Sequence, residues 1–152
     1  MWARGVLFWA QNHYPSAPGR ITMGWSVMEL KDYFENAKGL GVLSTADDKG
    51  RVDAAVYSRP HFIDQDTVAF IMPDRLTHQN LQSNPHAAYL FAEEGFNTRG
   101  RRLFLTKLRE EKDSELLAQL RRGRHGREAT ERYLVFFKID KILPLIGAGE
   151  ED

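Results

Sequence analysis

The stretch LGVLSTADDKGRVDAAVYSRPHF, residues 40 to 62, constrains the fold most. An apolar run over 40–46 and a second run over 52–59 flank the polar DDKG, and Gly50 supplies the left-handed backbone such a turn needs. This is the signature of a β-hairpin. DTVAFIM, 66–72, then reads as a third strand after the turn IDQD. Three strands in succession predict a meander.

The flanking segments carry helical signals. SVMELKDYFENAKGLG opens with Ser26 and has Glu29 three residues later, the spacing at which two side chains satisfy orphan N–H groups at a helix start. Val27, Leu30, Tyr33, Phe34 and Ala37 fall on one face, and Gly39 stops the helix. After Asp74 the period changes again. Leu76 and Leu81 stand among polar neighbours, which predicts a short helix over about 75–83 that ends before Pro85. AAYLFA (87–92), RRLFLTKL (101–108) and RYLVFFKI (132–139) read as further strands, with a helix from Asp113 or Ser114 to Gly123 before the last. About six mostly antiparallel strands with a few peripheral helices predict an α+β domain built on a small β-barrel.

Composition narrows the function classes. A chain of 152 residues suits one domain with a real core. Lys and Arg number 21, as do Asp and Glu, so no long-range field draws the molecule to nucleic acid or an acidic membrane. Any anion site is therefore local. The absence of cysteine excludes disulfides and thiolate chemistry and fits a cytoplasmic setting. The apolar run after Arg4 is too short for a signal core, and no stretch approaches a membrane span. Residues 1–22 read as a loosely docked extension, with the domain over 23–152.

The chemistry-bearing residues are few. His13, His61, His78, His86 and His125 are scattered without metal-ligand spacing, and no G-x-S-x-G elbow or G-x-G-x-x-G loop occurs. LRRGRHGRE, 120–128, is a basic run without interleaved aromatics and reads as a solvated helix end, not a nucleic-acid patch. The better set is Ser58 and Arg59 after the second run, with Arg75, Thr77, His78 and Gln79 after the third. Arginine holds a phosphate through parallel hydrogen bonds, and a helix start adds N–H groups.

The segments VLSTADDKGRVDAAVYSRP and DTVAFIMPDRLTHQNLQSNPHAAYLF resemble the pyridoxamine 5'-phosphate oxidase-like family, the FMN-binding split barrels, over about 27–110. NLQSNP, 80–85, carries the most specific part, and SRP resembles the general-stress branch. The resemblance implies an α+β antiparallel split β-barrel and a homodimer with FMN at the subunit interface. No nucleic acid, membrane or metal partner is expected, given the balanced charge, the lack of a long apolar stretch and the scattered histidines. Ser58, Arg59, Arg75 and Thr77 would lie at the phosphate, with Tyr57, Phe70, Ile71 and Met72 lining the ring system. His78 is the candidate for acid or base work, although no catalytic residue is assigned. Residues of the partner near RGRRLFL would complete each site. Where the family pattern carries a lysine four residues before Leu81, this chain has Thr77. The C-terminal Arg-His substrate signature of the oxidase is not found in FKIDKILPLIGAGEED. These features imply an FMN-dependent oxidoreductase acting on another small molecule, or a protein that holds a flavin or deazaflavin without turnover.

Overall fold

A computed structural model describes residues 27–95, 98–121 and 131–147. The elements are α1 (Val27–Asn36), β1 (Gly39–Ala46), β2 (Val52–Val56), β3 (His61–Phe62), β4 (Thr67–Pro73), α2 (Leu76–Ser83), β5 (His86–Glu93), β6 (Gly100–Lys112), α3 (Glu115–Leu120) and β7 (Arg132–Pro144). All seven strands belong to one antiparallel sheet in the order β2-β1-β5-β6-β7-β4-β3.

The hairpin forms as its turn chemistry dictates. Gly50 has φ +78, the Asp47 carboxylate accepts from the N–H groups of Lys49 and Arg51, and Val42 pairs with Val56. The meander does not form. β4 joins β7 and the short β3, at the far side of the sheet from β2, because pairing follows a long return through the β6–β7 hairpin. Among the described residues the sheet has seven strands where about six were expected, since the two-residue β3 is too short to leave a periodic signal.

Sheet order and chain length together force curvature. Seven strands at about 4.8 Å spacing would hold the edge strands about 29 Å apart if flat. Val56 and His61 are five residues apart and span at most about 18 Å. The sheet therefore curls until β2 and β3 approach, yet no ladder joins them. The result is a barrel with an open seam.

Alternation decides what fills it. Leu43, Phe70, Met72, Tyr89, Phe91, Leu103, Val135 and Phe137 point inward, and Leu30 and Phe34 of α1 plug one end. Phe34 meets Phe91 edge-on at 5.2 Å between ring centres. Ser26, the expected cap of α1, lies outside the described residues. At the outer face of β4 and β7, Ala69, Leu134 and Phe136 pack against Leu117 of α3. Ser114 caps α3 by accepting from the Leu117 N–H at 3.1 Å, and the expected end at Gly123 lies outside the described residues.

The segment NLQSNP fixes α2 and its exit. Leu81 enters the core, and the buried Asn80 amide donates to the Thr45 hydroxyl at 3.1 Å. The Asn84 N–H donates to the Asn80 carbonyl, while the Asn84 side chain accepts from the His86 N–H and starts β5. Among the described residues no helix is long and apolar enough to cross a membrane.

Candidate functional site

An open groove of about 1440 Å³ runs along the seam between the β2 end and β4. Among the described residues β4 has no strand partner on its seam side beyond Ala69, because β3 pairs only with Val68 and Ala69. Phe70, Ile71 and Pro73 therefore border the groove. Tyr57, Ser58 and Arg59 form the facing wall, and Arg75, Leu76 and Thr77 close one end at the start of α2.

The facing wall is held by contacts to β1 and β5. The Tyr57 N–H donates to the Gly41 carbonyl at 3.0 Å, and the buried Tyr89 hydroxyl donates to the Ser58 carbonyl at 3.1 Å. Tyr89 passes so close to β1 that only glycine fits at 41, where a Cβ would lie 2.0 Å from the tyrosine oxygen. Burial pushes the Tyr89 phenol well above its ordinary range. Burial also raises the Tyr57 phenol, with the nearby Thr77 hydroxyl and Arg75 opposing the rise and Asp53 adding to it. Tyr57 is thus a neutral hydrogen-bond donor at physiological pH. Its ring stands edge-on to Phe70 at 6.1 Å.

The polar end contains Thr77, whose hydroxyl donates to the Asp53 carboxylate at 3.3 Å. Arg75 occupies the residue before α2 without a side-chain cap bond, and its side chain is exposed. Arg59 behaves differently. Its Nη1 donates to the carbonyls of Phe34 at 2.5 Å and of Glu35 and Ala37 at 3.3 Å, at the C-terminus of α1. Cations near that end oppose the partial negative charge of the helix, so Arg59 ties α1 to the groove wall.

Of the residues singled out from sequence, Tyr57, Ser58, Arg59, Phe70, Ile71, Arg75 and Thr77 line this groove, while Met72, His78 and Gln79 do not. Met72 points into the core. His78 is 5% exposed and sits between two carboxylates, with Nδ1 2.9 Å from Asp74 and Nε2 3.1 Å from Glu110. Its ring stacks on Tyr133 at 4.0 Å. Glu110 also accepts from Lys107 at 2.7 Å and from Gln82. Asp74 is therefore a partner of His78 and does not cap α2. Sequence reasoning missed Asp53, Lys31, Lys38, Arg121 and Arg132, which also line the groove. Only the three-dimensional pairing of β4 with β7 brings Arg132 opposite Pro73. Arg99, Arg101 and Arg102 lie outside the lining. Among the described residues no group of three or more His, Cys, Asp or Glu is placed to hold a metal ion.

No protein-family model and no curated protein matches the chain. Solved structures do. An FMN-binding protein from Syntrophomonas wolfei superposes with a TM-score of 0.65 at 19% identity, covering 80% of this chain and 87% of that one. HupZ of Group A Streptococcus gives 0.59 at 21% identity, covering 78% and 92%. A protein described as a candidate pyridoxamine 5'-phosphate oxidase of Lactobacillus delbrueckii gives 0.57 at 15%, covering 74% and 88%. At these identities the likeness establishes architecture. The chain has the split-barrel fold found in FMN-binding and pyridoxamine 5'-phosphate oxidase-like structures.

Proposed function

We propose that the seam groove holds FMN and that the chain is a pyridoxamine 5'-phosphate oxidase-like flavoprotein, an oxidoreductase acting on a small molecule other than pyridoxamine phosphate. One observation carries this reading. The partnerless edge of β4 from Phe70 to Pro73 faces Tyr57 across a groove that ends in Arg75 and Thr77. A planar heteroaromatic ring with polar edges fits such a place, with backbone N–H and C=O groups on one side and aromatic carbon on the other.

The donor set fits the cofactor. Arg75 and the Thr77 hydroxyl would take the phosphate, and the neutral Tyr57 phenol adds a donor beside them. Thr77 must turn from Asp53 to do so, which costs one weak hydrogen bond. Arg59 keeps Nε and Nη2 for a ligand, while its Nη1 serves α1. Bound flavin supplies hydride or electron transfer, and the chain contributes orientation, electrostatics and shielding from water.

A second copy of the chain completes the proposal. Val42, Leu90 and Val56 line up across the outer face of β1, β5 and β2, with Ala54, Ala88 and Phe104 in the adjacent row. Val56 is 71% exposed and Val52 83%. No described element covers this wall, whereas α3 covers the wall of β4 and β7. An apolar face of this breadth marks an association surface. A homodimer in which the partner covers it and borders the groove accounts for that exposure.

The alternative, a flavin or deazaflavin holder without turnover, draws support from His78, which both carboxylates engage and which does not line the groove. Anaerobic mixing of the flavin-loaded protein with NADH or NADPH separates the two, since a holder leaves the flavin oxidised. Arg75→Gln and Thr77→Val should each weaken FMN by about tenfold or more, the value of one charge-assisted hydrogen bond. Unchanged affinity in both variants removes the phosphate assignment.

A further inference from the structure

We propose a second anion-binding station in the groove, formed by Arg75, Arg121 and Arg132 where the groove turns past the end of β4 toward α3, and taking a phosphate or carboxylate group. It shares Arg75 with the flavin reading but stands on separate observations.

The placement comes from the β4–β7 ladder. Arg132 is paired with Pro73, and the even-numbered β7 residues Leu134 and Phe136 face the outer cluster that contains Leu117. Arg132 stands on that face. Arg121 follows α3 directly, and Leu120 beside it packs on the same cluster. Arg75 lies two residues beyond Pro73, and all three arginines line one groove.

Their charges are unanswered. Elsewhere in the groove Lys31 pairs with Glu35 and Arg59 engages the α1 carbonyls. Asp53 accepts from Thr77. Among the described residues Arg75, Arg121 and Arg132 make no ion pair and no side-chain hydrogen bond. The Arg132 Nε is moreover buried without an acceptor. A buried N–H on a permanent cation is costly to leave unmade, and like charges gathered at one end of a groove repel. An oxyanion removes both penalties. The guanidinium fork matches the paired oxygens of a phosphate or carboxylate better than it matches halide or water.

Nitrogen-15-labelled protein titrated with inorganic pyrophosphate at constant ionic strength tests the station through the arginine Nε–Hε resonances. Saturable shifts confined to Arg75, Arg121 and Arg132 are expected, with affinity at least tenfold weaker in Arg132→Gln. Arg51→Gln, at the distant hairpin turn, should leave the affinity unchanged. If Arg132→Gln fails to fold, Arg121→Gln at its exposed position carries the same comparison. Shifts that do not saturate, or that spread evenly over all arginines, overturn the proposal. FMN and riboflavin then identify the source. If FMN displaces pyrophosphate and riboflavin does not, the three arginines serve the cofactor phosphate and the second station is overturned; if FMN binds beside pyrophosphate, the station belongs to a second small molecule, as proposed. Failure of FMN to bind at all defeats the flavin reading and leaves the station standing.

Discussion

Replacing Gly41 by alanine should damage the groove wall far more than one methyl group suggests. The new Cβ would lie 2.0 Å from the Tyr89 hydroxyl oxygen, 2.6 Å from its Cζ and 2.6 Å from the Tyr57 carbonyl oxygen. Tyr89 cannot retreat freely. Its ring is fully buried, packs on Phe70 at 5.0 Å, and holds the Ser58 carbonyl through its hydroxyl. Overpacking of a filled core costs about 1–3 kcal/mol. Loss of the tyrosine hydrogen bond adds about 0.5–1.5 kcal/mol. The sum, roughly 2–4 kcal/mol, corresponds to a fall in Tm on the order of 10 °C for a chain of this size. Urea denaturation of Gly41→Ala, Tyr89→Phe and the double variant checks the cause. Removing the phenol oxygen takes away the nearest clashing atom, so the double variant should lose less than the sum of the singles by about 1 kcal/mol. Strict additivity, or a loss below about 0.5 kcal/mol in Gly41→Ala, would refute the close-approach argument.

Other predictions concern the polar cluster behind α2 and the outer wall. Burial tends to raise the Glu110 carboxyl, but hydrogen bonds from Lys107, Gln82 and His78 outweigh it and hold the group below its ordinary value. Its contribution is therefore fully present above about pH 4.5 and lost as the pH falls through the lowered folded value; Glu110→Gln should flatten the acid limb of a stability profile. His78→Leu should cost about 2–3 kcal/mol in urea melts, because Asp74 and Glu110 lose a shared partner and Tyr133 a stacked ring, and FMN affinity should change less than in Arg75→Gln. Leu90→Glu, in the centre of the uncovered apolar wall, should convert a dimer to monomers in light scattering with little loss of monomer stability.

Local chemistry made much of the fold legible. The hairpin at Gly50, the end of α2 before Pro85 and the start of β5 are written in turn and capping residues within a few positions of where they act. Pairing across the sheet is not. β4 finds β7, from Thr67 with Lys138 to Pro73 with Arg132, far along the chain, a choice set by closure of the barrel and not by any neighbouring residue. The extension of β6 over Arg109–Lys112 was hidden for a related reason, since its charged residues pair with β7 while their side chains stay near solvent. In the groove, Ser58, Arg59, Arg75 and Thr77 were singled out by their types and order, and Tyr57 by the family resemblance. Arg132 and Arg121 were not, because only the β4–β7 register and the seat of α3 bring them there. His78, expected from sequence as the candidate for acid or base work, is instead held between Asp74 and Glu110, and only the arrival of Glu110 from β6 reveals this.

Titration of the purified full chain with FMN, followed by visible absorption, tests the central claim most directly. The account predicts saturable perturbation of the flavin band with one FMN per chain, weakened in Arg75→Gln. Free-flavin absorption unchanged across the whole titration, with the protein shown to be folded, would contradict it.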